Sequence, residues 1–222
     1  MNELTALANK YKSDKGILDT VEIMSHNYTE HYYKHWIDIQ NSVENILEIG
    51  IGAELKHTKK AASLKMLRDF FVNANIYGID VQERCIIEEK RIITYVCNQV
   101  DKIGLNALFS DIVFDVIIDD GGHNTVMQQA TLGHMFKSVK SGGMYIVEDL
   151  HTSVWGDWGL PANHKDSCLQ VLKKLRDEGE ITTPHMEGAE REYLSRNVGE
   201  IHIIDTEKNG GNNDITAILY KV

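Results

Sequence analysis

"NILEIGIGAEL", residues 45–55, decides the fold. Ile46, Leu47 and Ile49 make a short apolar, β-branched run bounded by Asn45 and Gly50, which reads as a buried strand. Gly50 and Gly52 follow, and then 58–73, whose "AASLKMLRDFF" face reads as an amphipathic helix. In a strand–loop–helix unit of this kind, the glycines let backbone approach a ligand, and the helix N-terminus offers N–H groups with no partner in the helix. The dinucleotide fingerprint GxGxxG needs glycine at 55, where Leu55 stands, so the NAD reading is weakened.

Outward from this unit the pattern repeats. "NIYGIDV" (75–81), "RIITYVCN" (91–98), "FDVIIDD" (114–120) and "GGMYIVEDL" (142–150) are further apolar runs, with amphipathic stretches such as 124–140 between them. Strands separated by helices imply right-handed crossovers and a mostly parallel sheet. The tail departs from this rhythm. "EIHIID" (200–205) and "DITAILYKV" (214–222) are joined by "TEKNGGNN", too short for a helix, and read as an antiparallel hairpin. The expected architecture is α/β, with seven strands and the last one reversed. Residues 1–40 read as a helical or irregular cover, 41–222 as the domain that carries the sheet, and 163–180 as one more helix.

Composition bounds the function. A net charge of −10 argues against a broad phosphate-binding surface, hence against a nucleic-acid partner. No apolar stretch approaches the ~20 residues that span a bilayer, and "MNELTALANKYKSDKG" has no secretion-signal pattern, so no membrane insertion is expected. Cys85, Cys97 and Cys168 lack metal or disulfide spacing and point to reduced thiols and a cytoplasmic setting.

Polar residues gather where the strands end. Glu48 precedes the glycine pair, Asp80 closes "YGID", and Asn98 and Gln99 close the third run. In an open α/β sheet, ligands bind at the strand carboxyl ends. Asp80 suits the hydroxyls of a ribose, and the Asn98 and Gln99 amides suit an adenine edge. Glu48, Gly50, Gly52, Asp80, Asn98 and Gln99 therefore read as a binding set for an adenosyl cofactor.

Two acidic pairs end the next runs, Asp119–Asp120 and Glu148–Asp149. They could cap helices or form Asx turns. Both pairs on neighbouring strands would instead gather carboxylates that repel one another unless a cation lies among them, and a hard ion such as Mg²⁺ takes oxygen donors. Alternation along a strand sends Asp119 and Asp120 to opposite faces, so Asp120 is taken as a ligand and Asp119 as facing the cofactor. After the turn Gly121–Gly122, His123 stands where an imidazole could deprotonate a hydroxyl.

These motifs resemble known enzymes. Glu48, Gly50 and Gly52 match the ExGxGxG motif of class I S-adenosylmethionine-dependent methyltransferases, with Glu54 in place of the third glycine. "FDVIIDDGGH", "GGMYIVEDL" and the N-terminal "SDKG…HNYTEHY" are similar to the metal-dependent sugar O-methyltransferases of macrolide tailoring. The resemblance runs from about Tyr11 to Asp149. It implies a Rossmann-like methyltransferase fold, S-adenosyl-L-methionine and Mg²⁺ as cofactors, Asp120, Glu148 and Asp149 as metal ligands, and His123 as the base. It implies as acceptor the hydroxyl of a sugar or of a glycosylated or phosphorylated small molecule, in natural-product or bacterial surface-glycan (capsule or lipopolysaccharide) biosynthesis. By the same analogy the chain would assemble as a homo-oligomer. Alternatives are a tailoring enzyme of the cephalosporin hydroxylase-like group, a methyltransferase of a non-sugar acceptor, and a non-catalytic subunit. Lys15, His26, Tyr28 and His31 could line the site from a lid. The spacing of Tyr28, Tyr32, Tyr33 and Trp36 favours packing for all but Tyr28, while Trp155 and Trp158 would suit stacking on a sugar.

Overall fold

The computed structural model describes residues 1–17, 25–52, 60–156, 160–206 and 214–222. Glu54, Leu55, Trp158 and the turn residues 207–213 lie outside the described residues. The chain divides into two compact units, Met1–Cys97 and Asn98–Val222.

In the first unit, β1 (Asn45–Ile49), β2 (Asn75–Asp80) and β4 (Ile92–Val96) run parallel, in the order β4-β2-β1. Ile46 pairs with Ile76, and Ile76 with Ile92, so one row of branched side chains crosses the three strands. All three are fully buried, each worth roughly 1.5–3 kcal/mol on leaving water. A two-residue strand, β3 (Glu88–Glu89), pairs antiparallel with β4. It makes eight strands among the described residues where seven were expected, because two charged residues carry no apolar signal.

Helix α1 (Glu3–Tyr11) is capped by Asn2, whose side chain accepts from the Thr5 N–H at 2.8 Å. It packs on α2 (Tyr28–Trp36) and α3 (Ala62–Phe70), and α3 buries Leu64, Met66, Leu67 and Phe70. Along α2 the rings of His26, Tyr28, Tyr32 and Trp36 follow one another at 5.3, 5.8 and 4.8 Å, and Trp36 meets Phe71 edge-on at 5.3 Å. Tyr28 is fully buried within this ladder, so it packs like the others rather than standing apart from them.

The second unit orders its strands β5-β6-β8-β7: β5 (Phe114–Asp119), β6 (Val139–Val147), β8 (Asp214–Lys221) and β7 (Val198–Thr206). β5 and β6 are parallel, while β8 runs antiparallel to both β6 and β7, as the hairpin reading required. Among the described residues this unit carries five α-helices: α4 (Lys102–Phe109), α5 (Thr125–Met135), α6 (Thr152–Trp155), α7 (Cys168–Glu178) and α8 (Gly188–Asn197). Asn124 caps α5 by accepting from the Met127 N–H at 2.9 Å, which fixes where the helix starts after the DDGGH turn. α5 ends earlier than the sequence pattern suggests, because β6 already begins at Val139 and Gly142 supplies a φ of 79° inside it. α6 and α8 were not anticipated; α8 buries only Leu194 and lacks an apolar stripe. Among the described residues, no helix is long and apolar enough to cross a membrane.

Candidate active site

The first unit places Glu48, Gly50, Gly52 and Asp80 around one loop. Glu48 is the fourth residue of β1 and is fully buried. One of its oxygens lies 3.4 Å from the Lys15 ammonium, itself only 2% exposed, and the other accepts from the Ser63 hydroxyl at 2.7 Å. The "SDKG" motif is thus bound through its lysine to the acid that leads the glycine loop. Gly50 has φ 81°, a conformation that only glycine adopts without strain. Asp80 braces the loop by accepting from the Ile51 N–H at 3.2 Å and the Gln82 N–H at 2.8 Å. Gly52 offers its carbonyl to the Cys85 thiol at 2.7 Å.

The second unit builds an acid–imidazole cluster on the ends of β5 and β6. Ligand atoms of Asp120, His123 and Asp149 lie within 4.8 Å of one another, and His123 Nε2 is 3.3 Å from Asp149 Oδ2. Two turns produce this convergence. β5 stops at Asp119, so Asp120 opens the Gly121–Gly122 turn that brings His123 back. β6 stops at Val147, and Asp149 takes φ 54°, left-handed for a non-glycine residue. The Thr152 hydroxyl ties the turns together, 2.8 Å from the His123 carbonyl and 2.9 Å from that of Asp149.

Glu148 does not join this set. It is buried and stands outside the group of ligand atoms that lie within 4.8 Å of one another. His151 and Asp214 were missed by the sequence reading. The His151 Nδ1 stands 3.8 Å from Asp149 and 3.5 Å from Asp214, and its ring meets that of half-exposed Trp155 at 4.5 Å. "EDLH" shows a histidine two residues past Asp149, a signal that was there to find; Asp214 arrives from a distant strand and left none.

Asp119 and Gln99, read as facing a cofactor, turn inward. Asp119 is 1% exposed and accepts from Gln99 Nε2 at 3.1 Å, the Tyr145 hydroxyl at 3.2 Å and the Gly121 N–H at 3.4 Å. Burial raises its pKa to about 7, only partly offset by these bonds. The Gln99 amide also donates to Thr131 and accepts from Gly122, so it is committed to this interior network rather than to an adenine edge. Asn98 is exposed, and its side-chain oxygen accepts from the Val100 N–H at 3.1 Å in a local turn.

The donor set fits a hard divalent ion. Two ligands of one ion with bonds of ~2.0–2.6 Å lie at most about 4–5 Å apart, the span seen here. The Asp120 and Asp149 carboxylates are hard oxygen donors of the kind Mg²⁺ takes, and the His123 imidazole stands beside them.

No protein-family model matches the chain. It is 30% identical over 207 residues to mycinamicin VI 2''-O-methyltransferase of Micromonospora griseorubida, covering 90% of this chain and 50% of that protein. It is 33% identical over 183 residues to demethylmacrocin O-methyltransferase of Streptomyces fradiae, covering 80% of this chain and 46% of that one. The structure of the MycE methyltransferase from the mycinamycin biosynthetic pathway, in complex with Mg, SAH and mycinamycin VI, is similar with a TM-score of 0.79 at 28% identity. That match covers 99% of this chain and 54% of that one. The chain therefore spans about half the length of the curated relatives it matches.

Proposed function

We propose that this chain, a member of the class I S-adenosylmethionine-dependent methyltransferases related to sugar O-methyltransferases of macrolide and tetracenomycin pathways, methylates a sugar hydroxyl of a glycosylated small molecule with Mg²⁺ as cofactor. The observation that carries the reading is the convergence of Asp120, His123 and Asp149. When bound, S-adenosylmethionine supplies a sulfonium methyl, and Mg²⁺ lowers the pKa of a hydroxyl it coordinates.

The residues divide the remaining work. Glu48, Gly50, Gly52 and Asp80 hold the cofactor, with Asp80 on its ribose, and Asn98 is a further candidate for its adenine edge. Asp120 and Asp149 hold the ion. His123 takes the acceptor's hydroxyl proton on a ring nitrogen, with its Nε2 held 3.3 Å from the Asp149 carboxylate. Trp155, half-exposed against His151, suits the apolar face of a sugar ring. Three buried cysteines outside any disulfide support a reducing, cytoplasmic setting, and a net charge of −10 speaks against a nucleic-acid substrate. The relatives that support this reading are sugar O-methyltransferases of natural-product pathways, which leaves the hydroxylase, surface-glycan and non-sugar alternatives without support.

The test is formation of S-adenosylhomocysteine on glycosylated polyketide acceptors, with and without EDTA. His123→Ala should lower turnover by at least ~100-fold while S-adenosylhomocysteine binds as in the wild type. Unchanged turnover in that variant would remove His123 as the base.

A further inference from the structure

Gln99 is 5% exposed, and its amide is spent on three bonds that meet at the DDGGH turn. Nε2 donates to Asp119 Oδ1 at 3.1 Å and to Thr131 Oγ1 at 3.0 Å, and Oε1 accepts from the Gly122 N–H at 2.5 Å. One planar group thus joins the end of β5, the second turn of α5 and the backbone between Asp120 and His123. Its partners are themselves held: Asp119 by Tyr145, and Thr131 by the Met127 carbonyl at 2.7 Å.

The glycines of the turn bear the imprint of this group. Neither Gly121 nor Gly122 adopts a left-handed φ, so the backbone conformation does not call for them. A Cβ on Gly121 would instead collide with Gln99 Oε1 and lie 2.9 Å from its Cδ. Gly121 is glycine to admit the amide. At Gly122 the Cβ would meet the Met127 thioether, which can move aside.

We infer that Gln99 is a positioning residue, whose amide sets the height of the Gly121–Gly122 turn and so the spacing of the Asp120 carboxylate from the His123 imidazole. The inference rests on the reading of those two groups as metal ligand and base. Gln99 touches neither of them; it acts through backbone, as outer-shell partners of metal sites do. A positioning role predicts damage to ion binding and to kcat, whereas an adenine reader predicts damage to cofactor binding.

Gln99→Met keeps the volume and removes all three bonds; Gln99→Glu keeps an acceptor for the Gly122 N–H. Mn²⁺ affinity is read by electron paramagnetic resonance without cofactor or acceptor, and S-adenosylhomocysteine affinity by calorimetry. Amide exchange at Gly122 is followed by NMR in metal-free protein. In Gln99→Met, Mn²⁺ should bind about 10–100-fold more weakly and kcat should fall similarly. S-adenosylhomocysteine affinity should stay within about threefold, and Gly122 should lose its exchange protection. Gln99→Glu should recover part of the protection and of the Mn²⁺ affinity. If Gln99→Met does not fold, Gly121→Ala, which displaces the amide without deleting it, should shift Mn²⁺ affinity in the same direction. Unchanged Mn²⁺ affinity and unchanged Gly122 exchange would overturn the inference, as would weakened S-adenosylhomocysteine binding with Mn²⁺ binding intact. If the wild type binds no Mn²⁺ while Gln99→Met still frees the Gly122 amide, the clamp stands and the metal-dependent reading fails instead.

Discussion

Replacing Lys15 by methionine should cost this protein several kcal/mol, although no reacting group is touched. Lys15 is 2% exposed and Glu48 fully buried, and their charges lie 3.4 Å apart. At an effective dielectric of ~20, that separation corresponds to an attraction of about 5 kcal/mol. Removing one member of a buried pair costs about 3–5 kcal/mol, because the other charge keeps its desolvation penalty. The methionine retains the apolar contacts of the lysine stem, so the loss should be electrostatic. Glu48→Gln should be milder, since a neutral amide can still accept from Ser63. The double variant should recover most of the loss, with a coupling of at least ~2 kcal/mol in a thermodynamic cycle. Urea unfolding followed by tryptophan fluorescence gives all four free energies. A cost below ~1 kcal/mol for Lys15→Met, or simple additivity in the double variant, would refute the idea that this ion pair anchors the glycine loop to the N-terminal motif.

Two further predictions concern strain and pH. Asp149→Gly should abolish turnover yet raise the stability of the metal-free protein by about 1 kcal/mol, since glycine takes φ 54° without strain and one carboxylate leaves the cluster; a lower melting temperature in EDTA would contradict this. At Asp69, burial raises the pKa, but bonds from Tyr11, Arg68 and Lys10 outweigh it and hold the carboxyl below its ordinary value. Its contribution, about 1 kcal/mol after solvent screening, should be complete above the ordinary carboxylate range and be lost as pH falls through the depressed pKa, so the margin of wild type over Asp69→Asn at pH 7 should shrink toward pH 3. A gap undiminished at pH 3 would argue against the charge as its cause.

The strands were legible because each is a local pattern of branched residues between punctuating glycines and asparagines, and β1, β2, β4 and β5 fall within two residues of where that pattern puts them. Their parallel order followed from the intervening helices. β3 and α8 escaped because both are largely polar and lie against the fold along a narrow line. Within the site, Asp120, His123 and Asp149 could be named from acids and an imidazole standing at strand ends. Glu148 could not be separated from Asp149 in that way, since both are acids at the end of the same apolar run. His151 beside Asp214 required a turn and a strand that lie far apart in the chain.

By itself the sequence determined what lies within a turn or two of chain: apolar period, glycine position, and carboxylates where apolar runs stop. Such features depend on backbone sterics and on side-chain transfer from water, which act over a few residues. Only the tertiary structure decided which way each polar group faces. It turned the Gln99 amide inward onto the Gly122 N–H, buried Lys15 against Glu48, and enclosed Tyr28 among other rings. Those outcomes follow from close packing, in which a buried donor or charge takes whatever partner the folded chain brings within about 3 Å, however many residues separate the two along the sequence.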